Sequence, residues 1–276
     1  MKKPATSFDE EFLRDGFLAK YPPEELAHVR SHASDAFDFA GRLNKRLMVI
    51  MRGLKPRRQE RGEILGMLLF LKALNAFQGG VLLCQRGLLV ESQNLARLAL
   101  ECTIHLMALT KEPSHIEAML ADYDRHKKTH AEKLLEHHRN SGSNLTRKDI
   151  EALEKLTELE GSSIKLEQLA RRVGLSAIYD SIYRGTSGYA AHPTLGALQQ
   201  LLGEKEGEDV NIIFGGELSG MRHSLVNLLI PMVDLIEPLS EIFKAGFGSD
   251  AFKWAAELSV LCGAELVKFD FKKHIT

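Results

Sequence analysis

The chain has little cysteine, and what it has is widely scattered. Its 276 residues include three cysteines, Cys84, Cys102 and Cys262, each set within an apolar run. This spacing lacks the paired arrangement of a zinc site, and an odd number of thiols is typical of a reducing compartment. We therefore expect free, buried cysteines and no structural metal.

An excess of charge of either sign is also missing. The 36 lysines and arginines nearly balance the 37 aspartates and glutamates, for a formal net charge of -1. This balance argues against binding driven by bulk positive charge and against an acidic disordered chain, although a local basic patch is compatible with it.

Long uninterrupted apolar runs are absent too, as is an apolar segment after the first lysines. The longest apolar stretches are broken by Lys72, Asn75, Gln78, Gln85 and Arg86. A membrane-spanning helix needs about 20 consecutive apolar residues, and a secretory signal needs an apolar segment. The sequence therefore predicts a cytoplasmic protein without membrane contact.

Helical periodicity dominates what is present. With no linker and no internal repeat, it predicts one all-α domain over residues 1–276, with a core at about 60–200. The segments 63–86 and 91–110 are apolar beyond one face, so we expect them to be central helices covered on several sides. Further helices are predicted at 24–51, 115–139, 146–160, 166–173, 218–243 with bends at Pro231 and Pro238, and 251–268, and a loop or short hairpin at 203–216.

The most informative stretch is YDSIYRGTSGYAAHP, residues 179–193. Tyr179, Tyr183 and Ser187 are four residues apart, so on a helix they share one face. Two glycines weaken that helix, and the proline after His192 disfavours helical geometry there. We therefore expect a cluster of hydroxyl and imidazole groups where a helix breaks up.

Arg97 and Glu101 form a second polar feature, four residues apart on an otherwise apolar segment. A buried charge persists when it is paired or used. One interpretation is an intrahelical ion pair within a structural network, with His105 a separate core or rim histidine. The other is a site in which Arg97, Glu101 and His192 are catalytic and in which three residues of the later stretch bind, namely Tyr183, Arg184 and Ser187.

The combination of these two polar features resembles a known group of proteins. Arg-x-x-x-Glu at Arg97 and Glu101, followed by Tyr-x-x-x-Ser-x-x-x-x-His at Tyr183, Ser187 and His192, resembles a family of uncharacterised bacterial helical proteins over residues 60–200. Such proteins are similar to the HEPN group, many of whose members are metal-independent ribonucleases or partners of nucleotidyltransferases. The resemblance implies an antiparallel helical bundle with extra terminal helices, a homodimer, no cofactor, and a toxin–antitoxin or phage-defence setting.

HEPN ribonucleases carry Arg-x(4–6)-His on one helix. Arg125 and His130 fit this pattern and are the runner-up catalytic pair, whereas the intervals 97–105 and 184–192 are too long for it. Two functions follow as hypotheses. One is an RNA-cleaving effector in which His192 or His130 is the general base and Arg97 or Arg125 stabilises charge at phosphorus. The alternative is a non-catalytic helical module that binds a partner protein or a small anionic ligand.

Overall fold

A computed structural model describes residues 7–142, 144–192 and 218–263, together with positions 194, 195, 198, 201 and 214–216. These residues form helices and no strand, so the predicted all-α class is confirmed for them. The helices are α1 (Ser7–Asp15), a short 3-10 turn (Gly16–Leu18), α2 (Pro23–Ser31), α3 (Ser34–Gly53), α4 (Arg61–Cys84), α5 (Leu89–Lys111), α6 (His115–Ser141), α7 (Arg147–Thr157), α8 (Leu166–Val173), α9 (Ser176–Ile178), α10 (Met221–Asp234), α11 (Ile236–Ile242) and α12 (Ser249–Cys262). Two π-helical stretches, Tyr179–Arg184 and Ser187–Ala191, follow α9, and we call residues 179–191 the π segment.

The core forms where α4 and α5 pack against each other and against α10. Phe70, Phe77 and Leu100 are fully buried there, and burial of such a side chain contributes about 1.5–3 kcal/mol. Gly80 brings α10 close, because a Cβ at that position would lie 2.4 Å from Cδ2 of Leu228. Gly80 thus serves the close approach of α4 and α10.

Helix α4 is the one helix in the described chain that is long and apolar enough to cross a membrane, by length and composition. Of its most apolar 18-residue window, 44% is buried inside the protein. Core helices of soluble proteins meet the same criterion. The absence of a membrane-spanning helix therefore stays a prediction.

Two helices differ from the sequence prediction. The expected helix over 24–51 is wrong as one helix, because the chain breaks at buried Ala33 (φ −155°, ψ 51°) between α2 and α3. Helix α1 was not predicted. The helix over 218–243 is divided at Leu235, in agreement with the interruption expected at Pro238, which has no N–H to donate to the carbonyl of residue 234, while Pro231 lies inside α10. Parts of two predictions, residues 264–268 of the last helix and 203–213 of the loop, lie outside the described residues.

The helix predicted to start after Thr146 is confirmed by its cap. The Asp149 backbone N–H donates to Thr146 Oγ1 at 3.2 Å, and the Thr146 N–H donates to Asp149 Oδ2 at 2.9 Å. This capping box satisfies two backbone donors that a helix start leaves free. Helix α7, fixed in this way, packs on α6 at the periphery, while α8 and the π segment cover one side of α5.

Candidate functional site

One side of α5 is polar and faces the π segment. Asn94, Arg97 and Glu101 follow one another along it at intervals of three and four residues. Both stretches of the π segment contact α5. Isolated π-helical turns are rare and occur frequently at functional sites. A polar helix side and an irregular helix therefore meet at this point of the fold.

Arg97 lies on an aromatic stack. Its guanidinium carbon is 4.1 Å from the centroid of the Tyr183 ring, a cation–π contact that typically contributes about 0.5–2 kcal/mol. The Tyr183 ring stacks in turn on Tyr179, with centroids 4.8 Å apart and planes at 14°. Nη1 of Arg97 is buried and has no hydrogen-bond partner among the described residues. The stack thus holds a guanidinium that keeps one N–H group unused.

Glu101 lies one turn further along α5 and is half-buried. Burial raises the pKa of its carboxyl above the ordinary value, while a hydrogen bond from Tyr183 and the charge of Arg97 oppose that rise. The described residues show no direct ion pair between Arg97 and Glu101, since the guanidinium lies over the ring. Arg97, Glu101 and Tyr183 form what we call the Arg97 cluster.

His192 lies at the edge of this region. It is exposed and has an extended backbone (φ −135°, ψ 145°). Two residues earlier, the carbonyl of Ala190 accepts a hydrogen bond of 2.8 Å from Nδ2 of Asn94, which ties this part of the chain to α5 one turn before Arg97. No contact joins the His192 ring to the Arg97 cluster within the described chain. The backbone that carries His192 is therefore anchored beside the cluster, while the imidazole points to no described partner.

Of the two remaining binding candidates, Arg184 is committed to acidic neighbours. Its guanidinium pairs with Glu167 at 2.7 Å and with Asp180 at 3.4 Å, both on the exposed surface. Ser187 is half-buried in the second π-helical stretch, and its hydroxyl has no hydrogen bond to another described residue. Ser187 therefore has more capacity to bind a ligand than Arg184.

The runner-up pair does not come together. Arg125 bonds to Asp122 with an Nη2–Oδ1 distance of 3.3 Å, and His130 is exposed. Five residues on one α-helix separate two side chains by about 140° around the axis, so the two lie on different sides of α6. Within the described ranges, no group of three or more histidines, cysteines and acids is placed to hold a metal ion.

His105 belongs to a separate pair, as predicted. Its Nδ1 lies 2.9 Å from Nε2 of His115 at the start of α6, with the ring centroids 5.2 Å apart. Burial, and then the neighbouring His115, lower the pKa of His105 to about 4. Both rings are thus neutral near pH 7 and join α5 to α6. The partner His115 was not predicted, because it follows a proline and a serine that mark an ordinary helix start.

Asp234, at the end of α10, also has no counterpart among the predicted site residues. Its Oδ2 is buried and has no hydrogen-bond partner in the part of the chain that the structure describes. Burial, and then the charge of Glu237, raise the pKa of Asp234 to about 7. A lone acid among apolar residues (PMVDLI) is the sequence signal that could have identified it.

Comparison with known proteins places the Arg97 cluster within one family. Residues 63–209 match the model of a family of unknown function, DUF5677. No curated protein and no solved structure matches the chain. The matched span contains α4, α5 and the π segment, and ends before α10. Because it covers more than half of the 276 residues, the chain belongs to the DUF5677 family.

Proposed function

We propose that this protein is an RNA-cleaving effector whose active site is the Arg97 cluster. The observation that carries the proposal is the Arg97 guanidinium, whose buried Nη1 has no acceptor among the described residues. Buried polar groups in proteins are nearly always hydrogen-bonded, so this donor favours an acceptor supplied from outside. Phosphate oxygens are the acceptors that a guanidinium binds best, together with carboxylates.

Cleavage of RNA without a metal needs three groups. A base removes the 2′-hydroxyl proton, a cation stabilises the charge that develops at phosphorus, and an acid protonates the leaving 5′ oxygen. The 2′ oxygen then bonds to phosphorus as the bond to the 5′ oxygen breaks, which leaves a 2′,3′-cyclic phosphate and a 5′-hydroxyl. The chain offers Glu101 as the base, Arg97 as the cation and His192 as the acid.

The geometry favours Glu101 rather than His192 as the base. The carboxyl is half-buried beside Arg97, and its raised pKa brings it nearer to the range in which a base works at neutral pH. His192 is exposed at the rim, on a backbone that Asn94 anchors one turn from Arg97. A rim position suits a group that meets the leaving nucleotide.

Four further properties that the sequence predicts form part of the same proposal. They are an HEPN-like antiparallel bundle, a cytoplasmic location, a homodimer, and a role in bacterial defence or a toxin–antitoxin pair. Exposed leucines on the outer side of α4 support self-association, since Leu68 is 59% exposed and Leu82 is 61% exposed. A monomeric mass in solution would remove the homodimer from the proposal.

Anion binding without cleavage is the second candidate. It is favoured by the position of His192, whose ring has no described contact with the cluster, and by the ion pairs that already occupy Arg184 and Arg125. To bind a small phosphate-bearing ligand or a carboxylate of a partner protein, the site would need the free donor of Arg97 but no acid catalyst. The two candidates share the binding residue and differ in whether His192 matters.

Total RNA incubated with purified protein in excess chelator separates these candidates. We expect the wild type to cleave, His192→Ala to cleave more slowly by a factor of about 100 or more, and the matched His130→Ala to cleave normally. Arg97→Gln should lose both cleavage and RNA binding, with thermal unfolding measured alongside to show that it folds. Binding without cleavage in the wild type would support the second candidate, and loss confined to His130→Ala would refute the assignment to the Arg97 cluster.

A further inference from the structure

A cavity of about 380 Å³ lies between α10, α12 and the chain from α9 into the π segment. Its volume falls within the range of about 300–1,000 Å³ that is usual for small-molecule sites. Its walls are largely apolar and include Ile178, Val226, Ile230, Val233 and Leu258. None of the described residues that line this cavity belongs to the Arg97 cluster, so the cavity is a separate candidate site.

Asp234 is the acidic residue of this cavity. It lines the cavity and is partly exposed there, while its Oδ2 is buried and lacks a hydrogen-bond partner among the described residues. An unpaired carboxylate in apolar surroundings is costly and favours either protonation or a counter-ion. A cationic ligand would supply that counter-ion.

Apart from the second ring nitrogen of His223 and the thiol of Cys262, the other polar groups of the cavity have already used their donors. Nδ2 of Asn227 donates to Gln93 Oε1 at 2.7 Å and lies 3.1 Å from Nε2 of His223, which accepts its second hydrogen when that nitrogen is unprotonated. The hydroxyls of Ser181 and Ser259 donate to carbonyls of their own helices, at 3.2 Å and 2.7 Å. These groups can therefore offer a ligand mainly acceptors.

Within the described chain, no lysine or arginine lines the cavity. Arg222 lies near Cys262 at the cavity edge, but its guanidinium bonds both oxygens of Asp35 at 2.7 Å and the carbonyl of Leu261 at 3.2 Å. An anionic ligand would thus find no unpaired lysine or arginine among the described residues of this cavity. The complement of an apolar cavity with a carboxylate and several acceptors is an apolar molecule with a positively charged donor.

We propose that this cavity binds a small molecule composed of an apolar body and a primary ammonium group, which pairs with Asp234. The apolar body fills the space between α10 and α12. The three N–H donors of the ammonium group bond the carboxylate and the neighbouring acceptors. An ammonium group suits the cavity better than a hydroxyl because it adds charge complementarity to the same hydrophobic contact.

Three probes with the same apolar body and different head groups test this, measured by titration calorimetry at pH 8. They are 4-phenylbutylamine, 4-phenylbutan-1-ol and 4-phenylbutanoate. We expect the wild type to bind the amine at least tenfold more tightly than the alcohol and to bind the carboxylate most weakly. Equal affinity for amine and alcohol, or no binding of the amine, would overturn the proposal.

Asp234→Asn is the matching variant and removes a buried charge, so its folding is not at risk. This variant should lower the affinity for the amine to that for the alcohol and leave the affinity for the alcohol unchanged. Glu237→Gln is the control, because Glu237 is exposed and does not line the cavity. If Glu237→Gln lowers amine binding as much as Asp234→Asn does, the attraction comes from general negative charge and the assignment to Asp234 is wrong.

Discussion

Asp234→Asn is expected to stabilise the protein, and to do so more at pH 8 than at pH 5. The folded-state pKa of Asp234 is raised from 3.8 to about 7, first by burial and then by the charge of Glu237. Between those two values the folded state binds more protons at this residue than the unfolded state does. Its contribution to stability therefore falls as the pH rises from about 4 to about 7, and is level above that.

The magnitude follows from the shift. At about 1.4 kcal/mol per pKa unit, the raised pKa of Asp234 costs the folded state about 4 kcal/mol at pH 8, where the folded carboxyl is ionised, and about 2 kcal/mol at pH 5, where it is protonated, relative to a side chain that does not titrate. Asparagine carries no such pH dependence. The gain from Asp234→Asn should therefore be about 2–3 kcal/mol larger at pH 8 than at pH 5, or about 5–10 °C in Tm for a chain of this size.

The assay is thermal or urea unfolding of both proteins at pH 5 and pH 8. His105 changes the wild-type profile in the opposite sense, because its folded pKa of about 4 lies below the ordinary value and costs stability as the pH falls below 6.5. His105 is present in both proteins, so its contribution cancels in the difference. An equal gain at both pH values, or a larger one at pH 5, would refute the reasoning.

Two further predictions concern packing and thiol access. Gly80→Ala should lower the free energy of unfolding by about 1–2 kcal/mol, because the added Cβ would press on buried Leu228. Gly41→Ala has open space around the added Cβ and should raise the free energy of unfolding by up to about 1 kcal/mol. Urea unfolding of both variants checks these values. A thiol reagent under native conditions should label Cys262, which is partly exposed, and leave Cys84, whose pKa burial raises to about 11. Rapid labelling of Cys84 in mass spectrometry would contradict that expectation.

The central helices could be predicted because their signals are local. The segment that forms α4 is apolar nearly all round, and Thr146 has the acid three residues later that completes its cap. The chain break at Ala33 could not be predicted in this way. Ala33 is 2% exposed and lies in the hydrophobic core, so its non-helical backbone depends on tertiary packing, which a local sequence pattern does not show.

The candidate site was predicted in its composition and not in its arrangement. The spacing of Tyr179 and Tyr183 accounts for their stacking, but the π-helical turns that carry them follow an i→i+5 pattern, which helical periodicity does not show. Asp234 could not be predicted as a site residue for a related reason. Its raised pKa depends on burial by α9 and α12, elements far from it along the chain.

The measurement that tests the central claim most directly is the single-turnover cleavage rate of a short RNA in excess chelator by the wild type and by Glu101→Gln. Glutamine keeps the size of Glu101 and removes the base. The account predicts 2′,3′-cyclic phosphate products from the wild type and a rate at least about 100-fold lower for the folded variant. Cleavage by Glu101→Gln at the wild-type rate, or no cleavage by the wild type, would contradict it.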